Sequence, residues 1–270
     1  LLFYYLDILF FFESSLKLCI YDNHIYHLNS SFWYIHHIYL NNFYASYFAG
    51  ALLLPRQNLI DELNLFLAKE NPKPQEMVQL MTQFNVSPES FYQRLTNILP
   101  KDFNLKNLFF LRLSHKIGAD TYQIKKELHI TNQQEPHANE MNEHYCRRWV
   151  SIKTIEQLLQ QGKTNFFDAQ VSRYENSSNE YLVFSSATPD PFKKDCLRSI
   201  SVGILITPSV KKKFKFLEGD VVPRQLVGVT CETCAVKDCQ ERASEPIHLN
   251  QKIRNENTEA IVQKYMAKFS

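Results

Sequence analysis

The chain has 270 residues, 44% of them hydrophobic, and a formal net charge of +2. That length suits one large domain or two modest ones. The near-neutral balance gives no bulk-charge reason for a nucleic-acid or membrane partner. The first residue is Leu rather than Met, so the chain reads as a fragment or a processed product.

Residues 1–43 are rich in Leu, Phe, Tyr, Ile, Asn and Ser, with no Gly, Pro or Arg. The apolar run Leu1–Phe12 is broken by Asp7 and followed by Glu13. It is shorter than the roughly 20 apolar residues that a spanning helix needs. It lacks the basic start and small-residue cleavage site of a signal peptide. Two readings stay open: a buried, aromatic-rich helical segment, or a stretch read out of frame. The texture changes at Tyr44, and residues 44–105 read as a helical region. "ASYFAGALLLPRQNLIDELNLFLAKE" gives two helical stretches separated by Pro55, with Leu59, Leu63 and Phe66 at helical spacing. A helix over Glu76–Phe84, a turn at Asn85–Val86 and a second helix capped by Ser87 and ending before Pro100 follow. That is a helix-turn-helix outline. Its second helix offers Arg94 as a cation and Glu89 near its start, a poor match to phosphates, so packing is the expected role.

The period changes after a boundary near Pro100–Asn107, and residues 106–270 read as a second region. Residues 108–113, 121–130, 165–175, 180–188 and 198–208 are β-branched or aromatic runs bounded by turn residues, which predicts strands. Residues 151–163 predict a helix with Ser151 as N-cap and Gly162 as stop. Residues 258–269 predict a terminal amphipathic helix. The order fits an α+β fold, a mostly antiparallel sheet with helices on one face.

"VTCETCAVKDCQER" holds Cys231, Cys234 and Cys239 within nine residues. Adjacent thiolates repel one another, and a cation or cluster core is what stabilises them together. Cys-x2-Cys lets two sulfurs face one centre across a tight turn, and Cys239 supplies a third corner. Cys146 in "NEHYCRRWVS", close behind His144, is the best fourth ligand. Cys196 is the next candidate, and Cys19 lies in the unusual first segment. Zinc ribbons usually bring a second close pair, which is absent here, whereas three close cysteines plus one remote one also suit an iron–sulfur cluster. By spacing the two metals stand level.

The segments "ASYFAGALLLP", "FNVSPESFYQRLTNI", "HYCRRWVS" and "VTCETCAVKDCQERA" occur in an order that resembles the short-chain fatty acyl transcriptional regulators. These are bacterial XRE-type proteins with an ImmA/IrrE-like middle region, the propionate and methylcitrate-cycle regulators among them. The likeness covers about residues 44–245. It implies a cytoplasmic regulator with a degenerate peptidase-like region and a C-terminal domain that senses short-chain acyl-CoA. It implies a [4Fe–4S] cluster on Cys146, Cys231, Cys234 and Cys239, and tips the balance from zinc toward iron. DNA would be contacted only through an upstream helix-turn-helix that this chain lacks, and a homo-oligomer is open.

Active ImmA/IrrE peptidases carry His-Glu-x-x-His, which is missing here. His24 and His27 stand three apart and His36 and His37 are adjacent, so packing is their expected role and peptidase activity is not expected. A CoA ligand needs cations for its phosphates and an apolar slot for its arm. The candidates are Arg147 and Arg148, then Lys193, Lys194 and Arg198, then Lys211, Lys212 and Lys213. An IrrE-type metallopeptidase and a zinc-stapled interaction domain are the alternative classes.

Overall fold

The computed structural model describes residues 30–70, 72–130, 143–175 and 177–267. The readings of Leu1–Phe12, Cys19, His24 and His27 lie outside these residues, as do the side chains of His36 and His37. The chain divides into two compact units, residues 1–48 and 49–270. Helix α1, Ser30–Leu53, begins in the first and ends in the second. Among the described residues no helix is long and apolar enough to cross a membrane.

Pro55 separates α1 from α2, Arg56–Ala68, as its fixed φ and missing N–H require. Leu59, Leu63 and Phe66 form the buried stripe of α2. Helix α3 is Glu76–Gln83 and α4 is Pro88–Asp102. The turn between them places Asn85 at φ 51°, a left-handed conformation that Asn tolerates. Ser87 then caps α4, its Oγ accepting the Ser90 N–H at 3.2 Å. Helix α4 does not stop before Pro100, as the sequence suggested, but runs through it to Asp102. Pro100 removes only one bond of the last turn, and tertiary contacts hold the rest. Leu99 and Phe103 are buried on either side, and Arg56 Nη2 grips Asp102 Oδ1 at 2.5 Å.

Strands β1 (Leu108–Lys116), β2 (Tyr122–Ile130), β3 (Phe166–Tyr174), β4 (Glu180–Pro189), β5 (Cys196–Leu205) and β6 (Arg224–Val227) form one sheet in the order β2-β1-β5-β4-β3-β6. All neighbours pair antiparallel except β3 with β6. The fold is therefore α+β with a mostly antiparallel sheet. Strand β6 gave no sequence signal because it has four residues and only Val227 is buried.

The central strands are buried on both faces, and alternate residues serve each face. Leu108, Phe110, Leu182, Phe184, Ile200, Val202 and Ile204 face α2, α3 and α4 in one core. Phe109, Leu111, Tyr181, Val183 and Leu197 face the other way, onto helix α5, Val150–Gln161. Helices thus cover both faces rather than one. The helical region and the sheet also share a core within the unit 49–270, so no compact-unit boundary falls at residue 105.

Small residues let α5 lie close to the sheet. Ser151 Oγ meets Ser201 Oγ at 2.8 Å, and Thr154 Oγ1 meets Ser185 Oγ at 3.0 Å, so these buried hydroxyls satisfy one another. Ser151 lies inside the helix and Trp149 is its cap residue, while Gly162 ends it at φ 59° as expected. After α6, Pro208–Lys213, and a 3-10 turn at Lys215–Glu218, the chain enters the cysteine loop and ends in α7, Ile247–Met266. Helix α7 starts at Ile247 instead of Thr258 and is exposed along its length apart from Leu249, so the expected amphipathic packing is not found.

Gly203 of β5 lies opposite Phe109 of β1, and a Cβ added there would stand 2.2 Å from the Phe109 ring. Gly203→Ala should therefore destabilise the fold by about 1–3 kcal/mol through overpacking. Denaturant midpoints should show it, and the added Phe109→Leu change should recover part of the loss.

Candidate metal centre

Two chain segments 80-odd residues apart meet at the cysteines. Tyr145 and Thr230 form an antiparallel bridge. Around it the Cys146 N–H donates to Val229 O at 3.0 Å and the Cys231 N–H donates to His144 O at 2.8 Å. This short ladder sets Cys146 against the loop of Cys231 and Cys234, and all three are buried free thiols. Cys239 is partly exposed, and so is Cys196, the first residue of β5.

The surroundings lock this junction. Trp149 Nε1 donates to Gly228 O at 2.8 Å, and the Trp149 ring lies 5.3 Å from that of Tyr145. Glu232 accepts from the His144 N–H at 3.0 Å and from His144 Nδ1 at 2.7 Å. Arg242 Nη1 donates to Cys231 O at 3.1 Å, and its Nη2 donates to Val236 O. Glu175 Oε1 accepts the Ala235 N–H at 3.0 Å. Sequence reasoning did not single out Glu232, Arg242, Glu175 or Gly228 as builders of this loop. Their roles depend on partners far away in sequence. The one local hint was the repeated form of "EHYC" and "GVTC", two short segments each placing a pairing residue before a cysteine.

Backbone N–H groups point at the sulfurs. Gly228 N–H approaches Cys146 Sγ at 3.4 Å and Ala243 N–H approaches Cys231 Sγ at 3.3 Å. The Arg148 N–H also serves Cys146, and the Val236 N–H serves Cys234. A Cβ added to Gly228 would stand 2.9 Å from Cys234 Sγ, so only glycine lets the backbone pass so close. Burial pushes the Cys146 thiol up to about 11, and negative charge on Cys234 and Cys231 acts in the same direction. Burial raises the Cys234 thiol too, with Glu175 and Cys239 adding to it. Among the described residues no three His, Cys, Asp or Glu side chains converge closely enough to hold a single metal ion.

The predicted phosphate cations do not form one patch. Arg147 lies 4.6 Å over the Tyr122 ring and donates to Asp120 O. Arg148 donates to Leu226 O at 3.3 Å. Arg198 is buried and bound to Glu89 Oε2 at 3.2 Å, on the same carboxylate that takes Arg112 at 3.1 Å. Lys193 and Lys194 are exposed in the β4–β5 turn. Lys211, Lys212 and Lys213 sit on α6, beyond the far end of β5, which spans about 30 Å. The α3–α4 pair serves packing, since α4 buries Phe91, Tyr92, Leu95 and Ile98 against the sheet and Arg94 Nε donates to Leu54 O.

Comparison with family models, with curated proteins and with solved structures gave no significant match.

Two expectations follow for the thiols and the carboxylate. In metal-free protein at pH 8, iodoacetamide should label Cys239 and Cys196 before Cys146, because the Cys146 thiolate is scarce and covered. Mass spectrometry of timed digests gives the order, and early labelling of Cys146 would contradict the burial argument. For Glu232, burial raises the carboxyl, but hydrogen bonds from the His144 ring and backbone, from its own N–H and from Ser244 together hold the group below its ordinary 4.5. A lowered carboxyl stabilises fully above the ordinary range and loses that contribution as pH falls through its own value. Glu232→Gln should cost about 1–3 kcal/mol at pH 7. The gap from wild type should narrow below about pH 4, as read from denaturant midpoints at both pH values.

Proposed function

We propose that this chain is the effector portion of a bacterial transcriptional regulator that senses short-chain acyl-CoA and carries a [4Fe–4S] cluster on Cys146, Cys231, Cys234 and Cys239. The observation that carries the reading is the Tyr145–Thr230 junction, which joins the remote Cys146 to the Cys231–Cys234 loop. Nothing in the local sequence of either segment requires that meeting. The spacing of the cysteines suits zinc and an iron–sulfur cluster equally, and the resemblance to the acyl regulators tips the reading toward iron. Backbone N–H groups aimed at sulfur stabilise the thiolates and tune the potential of such a core. When bound, the cluster would supply a redox- or oxygen-responsive lock on the loop between β6 and α7. The chain's own residues would orient it: Gly228 through close approach, Trp149 and Glu232 through the bonds that hold the two segments.

A regulator of this kind would work in the cytoplasm and would reach DNA through a helix-turn-helix outside these residues. The short acyl group alone offers only about 0.8 kcal/mol per buried CH2, so the CoA portion must supply most of the affinity. Arg147 and Arg148, nearest the cysteines, already hold structural partners. Lys193, Lys194 and Lys211 to Lys213 remain the more accessible cations, and the helical region is the degenerate peptidase-like part of the reading.

Anaerobically purified protein should be brown and contain iron and acid-labile sulfide. Both should be lost in Cys231→Ser and Cys234→Ser, with Cys196→Ser unaffected. A colourless protein with stoichiometric zinc would overturn the cluster and leave a zinc-stapled interaction domain. On cluster-replete protein, calorimetry with acetyl-CoA and propionyl-CoA should give binding heat, and its absence would overturn the sensor reading.

A further inference from the structure

The β1–β2 turn and the β4–β5 turn stand side by side at one end of the sheet. Lys116 faces Cys196 at the last register of β1 and β5, and the Ile117 N–H donates to Asp195 O at 2.9 Å. The β4–β5 tip is held in shape by its own bonds. The Phe192 N–H donates to Asp190 Oδ1 at 2.9 Å, the Asp190 N–H to Cys196 O at 2.9 Å, and the Cys196 N–H to Lys193 O at 3.3 Å. In that shape Phe192 stands 86% exposed, and Ile117 is 48% exposed on the neighbouring turn. Among the described residues no large apolar side chain is more exposed than Phe192. A ring held in water by a fixed turn contributes no burial to the fold.

The charges around the two tips favour one sign. Lys116, Lys193 and Lys194 are exposed, and Arg147 reaches the β1–β2 turn by donating to Asp120 O. Against them stand the exposed carboxylates Asp120 and Asp195. Asp190 is turned inward, its side chain 3% exposed and 3.9 Å from Arg112 Nη2. The tips therefore carry an excess of positive charge beside two exposed apolar groups. Their size decides what covers them. A stable protein–protein interface takes roughly 20–30 residues a side, more than residues 116–120 and 190–195 offer. A small-molecule site encloses most of its ligand, and two turn tips do not. A bilayer surface needs neither area nor a groove. An aromatic ring at headgroup level with lysines beside it is enough for reversible contact.

We propose that the paired tips dock this protein on an anionic membrane surface. Phe192 and Ile117 enter the interface, and Lys116, Lys193 and Lys194 meet the acidic headgroups. The contact is peripheral and needs no spanning helix. One ring and a few lysines give weak, reversible attachment, as a single short anchor does. The lysine contribution is screened by salt, while the ring contribution is not. The contact is independent of the acyl-CoA reading, and Phe192 separates the two. CoA phosphates would use Lys193 and Lys194 without the ring.

The test is co-sedimentation of the whole chain with phosphatidylcholine vesicles, with and without about 30% phosphatidylserine. The variants are Phe192→Ser, the double change Lys193→Glu with Lys194→Glu, and a control, Lys211→Glu with Lys212→Glu, at exposed positions on α6. Circular dichroism melts confirm that each variant is folded. Wild type should partition onto the phosphatidylserine vesicles and much less onto phosphatidylcholine alone. Phe192→Ser should weaken partitioning about tenfold. The Lys193 and Lys194 reversal should weaken it about 25-fold or more, at about fivefold for each lysine. The α6 control should match wild type. Phe192→Trp should shift its emission to the blue on phosphatidylserine vesicles, after subtraction of the wild-type signal from Trp33 and Trp149. Absence of wild-type partitioning overturns the docking surface. So does partitioning that survives both tip variants, because the contact then lies elsewhere. Loss with the lysine reversal alone, with Phe192→Ser unchanged and no blue shift, overturns the insertion and leaves plain adsorption of cations. Binding to polyglutamate with none to vesicles places an acidic protein on the tips and overturns the lipid assignment.

Discussion

A sheet whose central strands are apolar on both faces must be covered twice, and that requirement organises the protein. Strands β1, β4 and β5 send alternate side chains into two separate cores. One core is closed by α2, α3 and α4. The other is closed by α5 together with Tyr145, Cys146, Trp149 and Val227. The second cover is too narrow if α5 acts alone, because its buried face is a single stripe of Val150, Ile152, Ile155 and Leu158 flanked by hydroxyls. The segment before α5 and the strand β6 therefore complete it. Cys146 is buried as part of that cover, and its position follows from the packing of the sheet.

The same constraint explains why the cysteine loop is shaped by groups distant in sequence. Strand β6 pairs parallel to β3 at the sheet edge and delivers Gly228 directly under Trp149. The Tyr145–Thr230 bridge then extends this edge into the loop. The N–H groups of Cys146, Cys231, Gly228 and Ala243 each find a partner there, as burial demands. Glu232 is the strongest example, since a buried carboxylate is tolerable only with donors such as those His144 supplies. A loop built in this way fixes the backbone of Cys146 beside that of Cys231.

The opposite face shows how the helical region serves the sheet. Helix α4 lies across it with Phe91 and Tyr92 fully buried, and Tyr92 Oη meets Ser186 Oγ at 2.9 Å. Burial raises the Tyr92 phenol well above its usual range, which keeps it neutral as a hydrogen-bonding group. Between the turn that joins α3 to α4 and the strands β3 and β4 a cleft remains beside Asn85 and Asn165. A helix-turn-helix outline has here become a lid on a sheet, because the inner face of its second helix is apolar at Phe91, Leu95 and Ile98.

Local chemistry in the sequence determined the elements whose signals need no partner. Pro55 as a divider, Ser87 as a cap, Gly162 as a left-handed stop and the β-branched or aromatic runs of the five longer strands each act within a few residues, through fixed φ, a capping oxygen, positive φ or side-chain shape. The Cys-x2-Cys turn was legible for the same reason. The tertiary structure decided the rest. It extended α4 through Pro100, made β6 a strand by pairing it with β3, and left α7 uncovered where a packed helix was expected. It joined residues 56–102 to the sheet in one core, and it bound Arg148 and Arg198 to carbonyl and carboxylate partners. These outcomes turn on which surfaces meet across long stretches of chain. A cation, a short strand or a proline has no single fate until its neighbours in space are known.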